Sequence, residues 1–322
     1  MENDIKKNRI KKLKALCSNI GLGFFAYEGV SHLMYTLVSI IISFVFVLFN
    51  KDSAVVLKSE WFSWVSMIVL DYGFGLIIMA AILKRTNKSR VIYPKRSLHK
   101  KSYIALGLVC MAVMYLGSFV SSGLSGIIER LFGVVPNDTT SFVKDMNIVW
   151  MIVMVVILGP IVEEIMFRKF IIDRLRSYGE LFSIIASSLL FALLHGNIYQ
   201  VFYAFGFGAV LGLVYVKTNN IKVTIAYHMI FNFLGSVVPV GLMRFGEANE
   251  QAGLVVAALY SLLVIFAIVS GVFLCITYLK KVKLKKSECD ILTGGDKACA
   301  FSFNPGMILA FFMIAYKFVA FF

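Results

Sequence analysis

Three short groups of residues in this chain have the types and spacing needed to move protons. The first lies in GPIVEEIMFRKF, residues 159–170, where Glu163 and Glu164 are followed by Arg168. The second runs from Phe191 to His195, and the third from His228 to Asn232. Residues four apart share a helical face, so Glu164 can pair with Arg168, and His228 and Asn232 can address one group together. Glu163 points about 100° away from Glu164 and has no partner within its own helix. A carboxylate shielded from bulk water and left unpaired suits the taking and returning of a proton, so Glu163 is the expected general base and acid.

Ionisable side chains at bilayer depth cost about 2.5–3.5 kcal/mol each, so each needs a partner, a wet cavity or a function. A lone histidine in an apolar helix is more often a hydrogen-bonded packing residue than a reactive one. Here two of the four histidines stand beside the diglutamate and an asparagine, which favours a shared site. Counting about 1.5 Å per residue from the nearest basic edge puts Glu163, His195, His228 and Asn232 roughly 9–20 Å into the bilayer, in its cytoplasmic half.

The three pieces, EExxxR from Glu163 to Arg168, FxxxH from Phe191 to His195 and HxxxN from His228 to Asn232, resemble the motifs of the CPBP family. That family includes the type II CAAX prenyl endopeptidases and the bacterial Abi proteins. The resemblance implies an intramembrane glutamic endopeptidase of the CAAX-protease and bacteriocin-processing type. In it Glu163 activates water with help from His195, while His228 and Asn232 stabilise the oxyanion. Glu164, Arg168 and Phe191 are then supporting residues. Asparagine can donate a neutral hydrogen bond to a developing oxyanion, and histidine can donate or shuttle a proton.

Two histidines and two glutamates, Glu163, Glu164, His195 and His228, could instead ligate zinc. The sequence has no HExxH, and Arg168 beside Glu164 would oppose a cation, so no cofactor is the expectation and zinc the alternative.

The elements that must position these groups are membrane helices. Hydrophobic residues make up 59% and charged residues only 16% of the chain, against about 45–50% and 25% in soluble domains. Crossing the hydrocarbon core takes about 20 apolar residues. The expected spans are Leu33–Phe49, Trp61–Leu83, Tyr103–Ser121, Ile148–Ile172, Leu181–Leu194, Tyr199–Val216, Ile221–Val240 and Leu254–Leu279. A ninth, Met307–Phe322, is short and interrupted by Lys317. The runs are too long and too little alternating for barrel strands, so the fold class is all-α, a polytopic transmembrane helical bundle.

A net charge of +14 raises the question of nucleic acid, but the basic residues cluster at the ends of apolar runs rather than on a soluble domain. Segments 1–16, 84–101, 168–176, 217–222 and 280–297 hold 26 of the 32 Lys and Arg. The intervening loops hold Lys51, Lys58, Arg130, Lys144 and Arg244. The positive-inside rule then puts the N-terminus in the cytoplasm, in a cell membrane, and no nucleic-acid partner is expected.

The N-terminal segment 1–32 reads as a basic cytoplasmic piece and retained anchor, with residues 5–16 a basic amphipathic helix on the inner leaflet. Loop 122–147 reads as an exterior connection with one amphipathic turn around Leu124–Phe132, and 280–305 as a cytoplasmic loop or tail. The five cysteines are scattered without a CxxC pair, which excludes a readable disulfide framework or zinc knuckle. With no long linker and no internal repeat, residues 1–322 form one integral membrane domain, with 148–240 its catalytic core.

Lesser features have plainer readings. Gly208 and Gly212 form a GxxxG, which serves intrachain packing more often than a homodimer. Pro160 removes a backbone donor and frees a carbonyl. Asp71 suits a transporter's proton relay, and Lys317 suits snorkelling. The expected partners are the lipid bilayer and a membrane-associated peptide or protein substrate. The alternatives are a non-catalytic bacteriocin-immunity or signalling protein that binds a membrane signalling partner on the same scaffold, and a transporter.

Overall fold

The computed structural model describes residues 2–84, 86, 93–133, 146–279, 281–287 and 291–320. Ten helices carry the described chain: α1 (Glu2–Leu48), α2 (Glu60–Lys84), α3 (Lys100–Phe132), α4 (Ile148–Tyr178), α5 (Glu180–Leu194), α6 (Ile198–Thr218), α7 (Ile221–Ala248), α8 (Glu250–Leu279), α9 (Gly294–Ser302) and α10 (Pro305–Ala320). A further helical turn spans Ala54–Leu57. No strand occurs among the described residues, and the all-α class follows directly from the long apolar runs.

Seven of these helices are long and apolar enough to cross a membrane, or eight if the bent pair α9 and α10 counts as one span. The exception among the expected spans is α5. Its 15 residues extend about 22 Å, short of the roughly 30 Å hydrocarbon core.

Several boundaries differ from the sequence expectation. The first helix does not begin at Leu33 but runs unbroken through 47 residues from Glu2, so the basic segment and the first span are one rod. Residues Leu124–Phe132 do not form a separate exterior turn; they continue α3 until Gly133, whose positive φ ends it. The polar stretch 286–305 contains α9, started by a capping box between Thr293 and Asp296. Each has one physical cause: charged residues do not break a helix when its backbone bonds are complete and one face can be buried. The expected loop residues Pro136, Asn137, Asp138 and Lys144 lie outside the described residues.

The contacts divide the chain into two compact units. The first comprises Met1–Lys88 and Cys289–Ala315, the second Ser89–Glu288 and Tyr316–Phe322. In the first, Ser31 on α1 donates to the Leu70 carbonyl of α2 at 3.0 Å. Asp71 belongs to this unit, where it lines a cavity of about 280 Å³ with Glu28, His32 and Ser66.

The second unit contains the three motifs, Glu163 to Arg168, Phe191 to His195 and His228 to Asn232. Here the GxxxG of α6 is filled from within the chain. A Cβ at Gly208 would lie 3.0 Å from Phe191, and one at Gly212 would lie 3.2 Å from Ile184, so α5 and α6 approach as only glycine permits. Beneath them Ile172, Ile184, Tyr215 and Val216 form a buried apolar cluster. Lys169, Asp173 and Tyr215 close a ring of hydrogen bonds at 2.8–3.0 Å that ties the end of α4 to α6.

Candidate active site

Helix α4 is not wound uniformly. Residues Met151–Leu158 and Ile165–Ile172 follow the wider i→i−5 pattern, and between them Gly159–Glu164 is α-helical. Such wide turns expose carbonyls and redirect side chains, and they recur at functional positions. Both glutamates sit at the end of the α segment, just before the second wide turn.

Their surroundings are unequal although they are neighbours. Glu164 is fully buried, and its Oε2 accepts from Arg168 Nε at 2.9 Å. Its Oε1 accepts from Arg168 Nη2 at 3.2 Å and faces His228 Nδ1 at 3.1 Å. Glu163 keeps 21% of its side-chain surface accessible and faces His228 Nε2 at 3.4 Å. One carboxylate is therefore saturated by a bidentate guanidinium, and the other remains available to a small molecule.

Arg168 is fully buried, and each of its three nitrogens has a partner. Besides its two contacts with Glu164, Nη1 donates to Ser187 Oγ at 3.2 Å, and Ser187 in turn donates to the Phe167 carbonyl at 2.8 Å. The guanidinium also stands 5.7 Å from the Phe191 ring centre. A buried ion pair is tolerable only when the remaining hydrogen-bond sites are filled, and Ser187 fills that place.

His228 is 2% exposed and sits between the two glutamates, one nitrogen toward each. Two aromatic edges hold its ring: Phe207 at 5.1 Å and Phe191 at 5.7 Å between centres. Because Glu164 accepts from Arg168 as a carboxylate, the imidazole nitrogen toward it is the donor, which orients the ring and leaves Nε2 facing Glu163.

His195 lies just past the end of α5, where its Nδ1 is 2.9 Å from the Phe191 carbonyl. A carbonyl only accepts, so Nδ1 carries the proton, and in the neutral ring Nε2 is the acceptor. Phe191 meets the His195 ring edge-on at 5.1 Å and the His228 ring at 5.7 Å, and so touches both imidazoles.

Asn232 is fixed by a backbone group. Its Nδ2 donates to the Val155 carbonyl of α4 at 2.8 Å. The register explains why that carbonyl is free. Gly159 N–H bonds to Met154 O, five residues back, so residue 160 would be the next donor toward Val155 O. Residue 160 is proline and has no N–H. The asparagine amide takes the vacant place, and its second N–H is left to donate elsewhere.

The structure thus brings Glu164, Arg168 and His228 into one bonded set, with Glu163 facing its imidazole at 3.4 Å, Phe191 against it and Asn232 tied to the same helix through Val155. His195 is linked to the set through Phe191 rather than by a direct bond to either glutamate. Ser187 and Phe207 are the members that sequence reasoning missed. Ser187, Phe191 and His195 recur at intervals of four on α5, and that periodicity is the signal that could have found the serine. Phe207 carries no comparable mark.

The residues Glu163, Glu164, His195 and His228 are the donors that a zinc ion would need. Glu164 has both oxygens committed, and the Arg168 cation stands against it. Among the described residues no three of His, Cys, Asp and Glu converge to hold a metal ion.

Residues 145–234 match the family model for the type II CAAX prenyl endopeptidase Rce1-like proteins. The chain is 31% identical to the membrane-embedded CAAX protease MroQ of Staphylococcus aureus (strain USA300), over 48% of this chain and 66% of that protein. It is 26% identical to the protein named "Putative membrane peptidase YdiL" of Bacillus subtilis (strain 168), over 60% of this chain and 80% of that protein. No solved structure matches it significantly.

Proposed function

From this Rce1-like segment, which spans every residue of the bonded set, we propose that the protein is an intramembrane endopeptidase. It hydrolyses a peptide bond of a membrane-associated protein or peptide with water activated by Glu163. The observation that carries this reading is the inequality of the two glutamates: Glu164 is locked to Arg168, while Glu163 is partly accessible and faces an oriented imidazole.

The chemistry follows from the groups present. The Glu163 carboxylate takes a proton from water as the oxygen attacks the scissile carbonyl, giving a tetrahedral oxyanion and a protonated Glu163. His195, with Nδ1–H donated to Phe191 O, offers Nε2 as the second acceptor for the same water. The oxyanion is stabilised by the second N–H of Asn232 and by His228 as an imidazolium, whose Nδ1–H is held by Glu164 and whose Nε2–H is the donor. Collapse breaks the C–N bond, and Glu163 returns its proton to the departing amine. The products are a carboxylic acid and an amine, and Glu163 is regenerated.

No metal enters these steps. Arg168 and the saturated Glu164 support that part of the reading, because a divalent cation there would face a guanidinium. The basic segments support a cell-membrane location with the N-terminus in the cytoplasm.

The test is a comparison of membrane proteomes from cells carrying the wild-type chain and cells carrying Glu163→Gln at equal abundance. Peptide bonds cut only in the first would identify the substrate. Identical fragment patterns, together with an unimpaired cellular phenotype, would instead favour a peptide-binding partner that does not cut.

A further inference from the structure

Lys317 is an ammonium within an otherwise apolar helix, α10. A lysine at bilayer depth costs about 2.5–3.5 kcal/mol unless it finds a partner. Its Nζ donates to the Leu194 carbonyl at 2.9 Å, and from Tyr316 onward the chain groups with the second unit, as Leu194 does.

Leu194 is the last residue of α5, and His195 follows it. The carbonyls of a final helical turn lack intrahelical donors, and a cation there also meets the negative end of the helix dipole. The turn itself is tight: His195 N–H bonds to Ala192 O at 3.3 Å and Gly196 N–H to Leu193 O at 3.1 Å.

The lysine stem reaches this carbonyl by crossing Gly196. A Cβ on Gly196 would lie 3.0 Å from Lys317 Cβ and 3.2 Å from its Cε, and the residue has φ +65°. Glycine is thus required at 196 by space and by backbone conformation alike.

We propose that Lys317 is a positioning residue for His195: by holding the Leu194 carbonyl it fixes the last turn of α5 and so keeps the imidazole Nδ1–H on Phe191 O, with Nε2 as the acceptor. This assignment rests on the reading of His195 as an acceptor for the attacking water only where turnover is measured. The tautomer itself is independent of that reading.

The test therefore has two arms. In the first, the full chain with ¹⁵N-labelled histidine is placed in lipid nanodiscs, and His195 is assigned by loss of its signal in His195→Gln. Wild type and Lys317→Arg are expected to show one Nδ1–H tautomer, and Lys317→Met a mixture. An unchanged His195 signal in Lys317→Met overturns the proposal, whether or not the protein cleaves anything. Should Lys317→Met not accumulate, Lys317→Gln, whose amide falls short of Leu194, is read in its place with the same outcomes.

In the second arm, cleavage by Lys317→Met is expected to lose about 10–100-fold in kcat with KM unchanged, as expected for a misplaced group. Lys317→Arg restores it. In a His195→Gln background Lys317→Met should cost nothing further, and a full additive loss there overturns the proposal.

Discussion

His228 Nδ1 lies 3.1 Å from Glu164 Oε1, the same oxygen that accepts from Arg168 Nη2 at 3.2 Å. The imidazole of α7 is thereby fastened to the ion pair of α4, and its other nitrogen faces Glu163 at 3.4 Å. Adjacent glutamates thus differ in their surroundings: one is saturated by the guanidinium, and the other keeps part of its surface accessible.

Glu163→Gln is nearly isosteric and removes only the proton acceptor. Cleavage should fall about 100–10,000-fold, the contribution of a positioned general base, while the protein inserts and accumulates as wild type. Turnover of a purified peptide substrate, with immunoblotting of the membrane fraction, measures both. Full activity in Glu163→Gln sinks the mechanism.

Removing one partner of the buried ion pair leaves an uncompensated charge. Arg168→Met should therefore destabilise the protein by about 3–5 kcal/mol, while pairing it with Glu164→Gln should recover part of that loss. Thermal unfolding in detergent compares the three proteins. Equal melting temperatures for wild type and Arg168→Met would mean that the contact in the structure contributes nothing.

Pro160→Ala restores an N–H that can reach Val155 O and so competes with the Asn232 amide. Turnover should drop with little loss of stability, and adding Asn232→Ala should cost less than it does in the wild-type background. Additive losses in that cycle would show that the proline and the asparagine act separately.

Chelation separates the two cofactor expectations. Incubation of the purified protein with excess chelator should leave turnover unchanged, because every proposed step uses side chains alone. Activity that disappears and returns on adding zinc would revive the metal alternative at Glu163, Glu164, His195 and His228.

Much of this protein was determined by its sequence. Runs of about 20 apolar residues dictate an all-helical membrane fold, since only closed backbone hydrogen bonding survives in hydrocarbon. The spacing of four fixes the Glu164–Arg168 pair and sets Glu163 apart from it, because both depend on one helix alone. Even the consequence of Pro160 was legible, as a carbonyl without its donor.

What lies between helices was not legible. Only the packed structure turns His228 toward both glutamates, sends Asn232 to Val155 O, completes Arg168 with Ser187 and ties Lys317 to Leu194. The reason is physical: in a membrane chain the buried and lipid-facing surfaces are both apolar, so periodicity does not announce how each helix is rotated. Rotation is decided by close glycine contacts such as those of Gly208 and Gly212, by wide turns in α4, and by the few polar groups that must find each other.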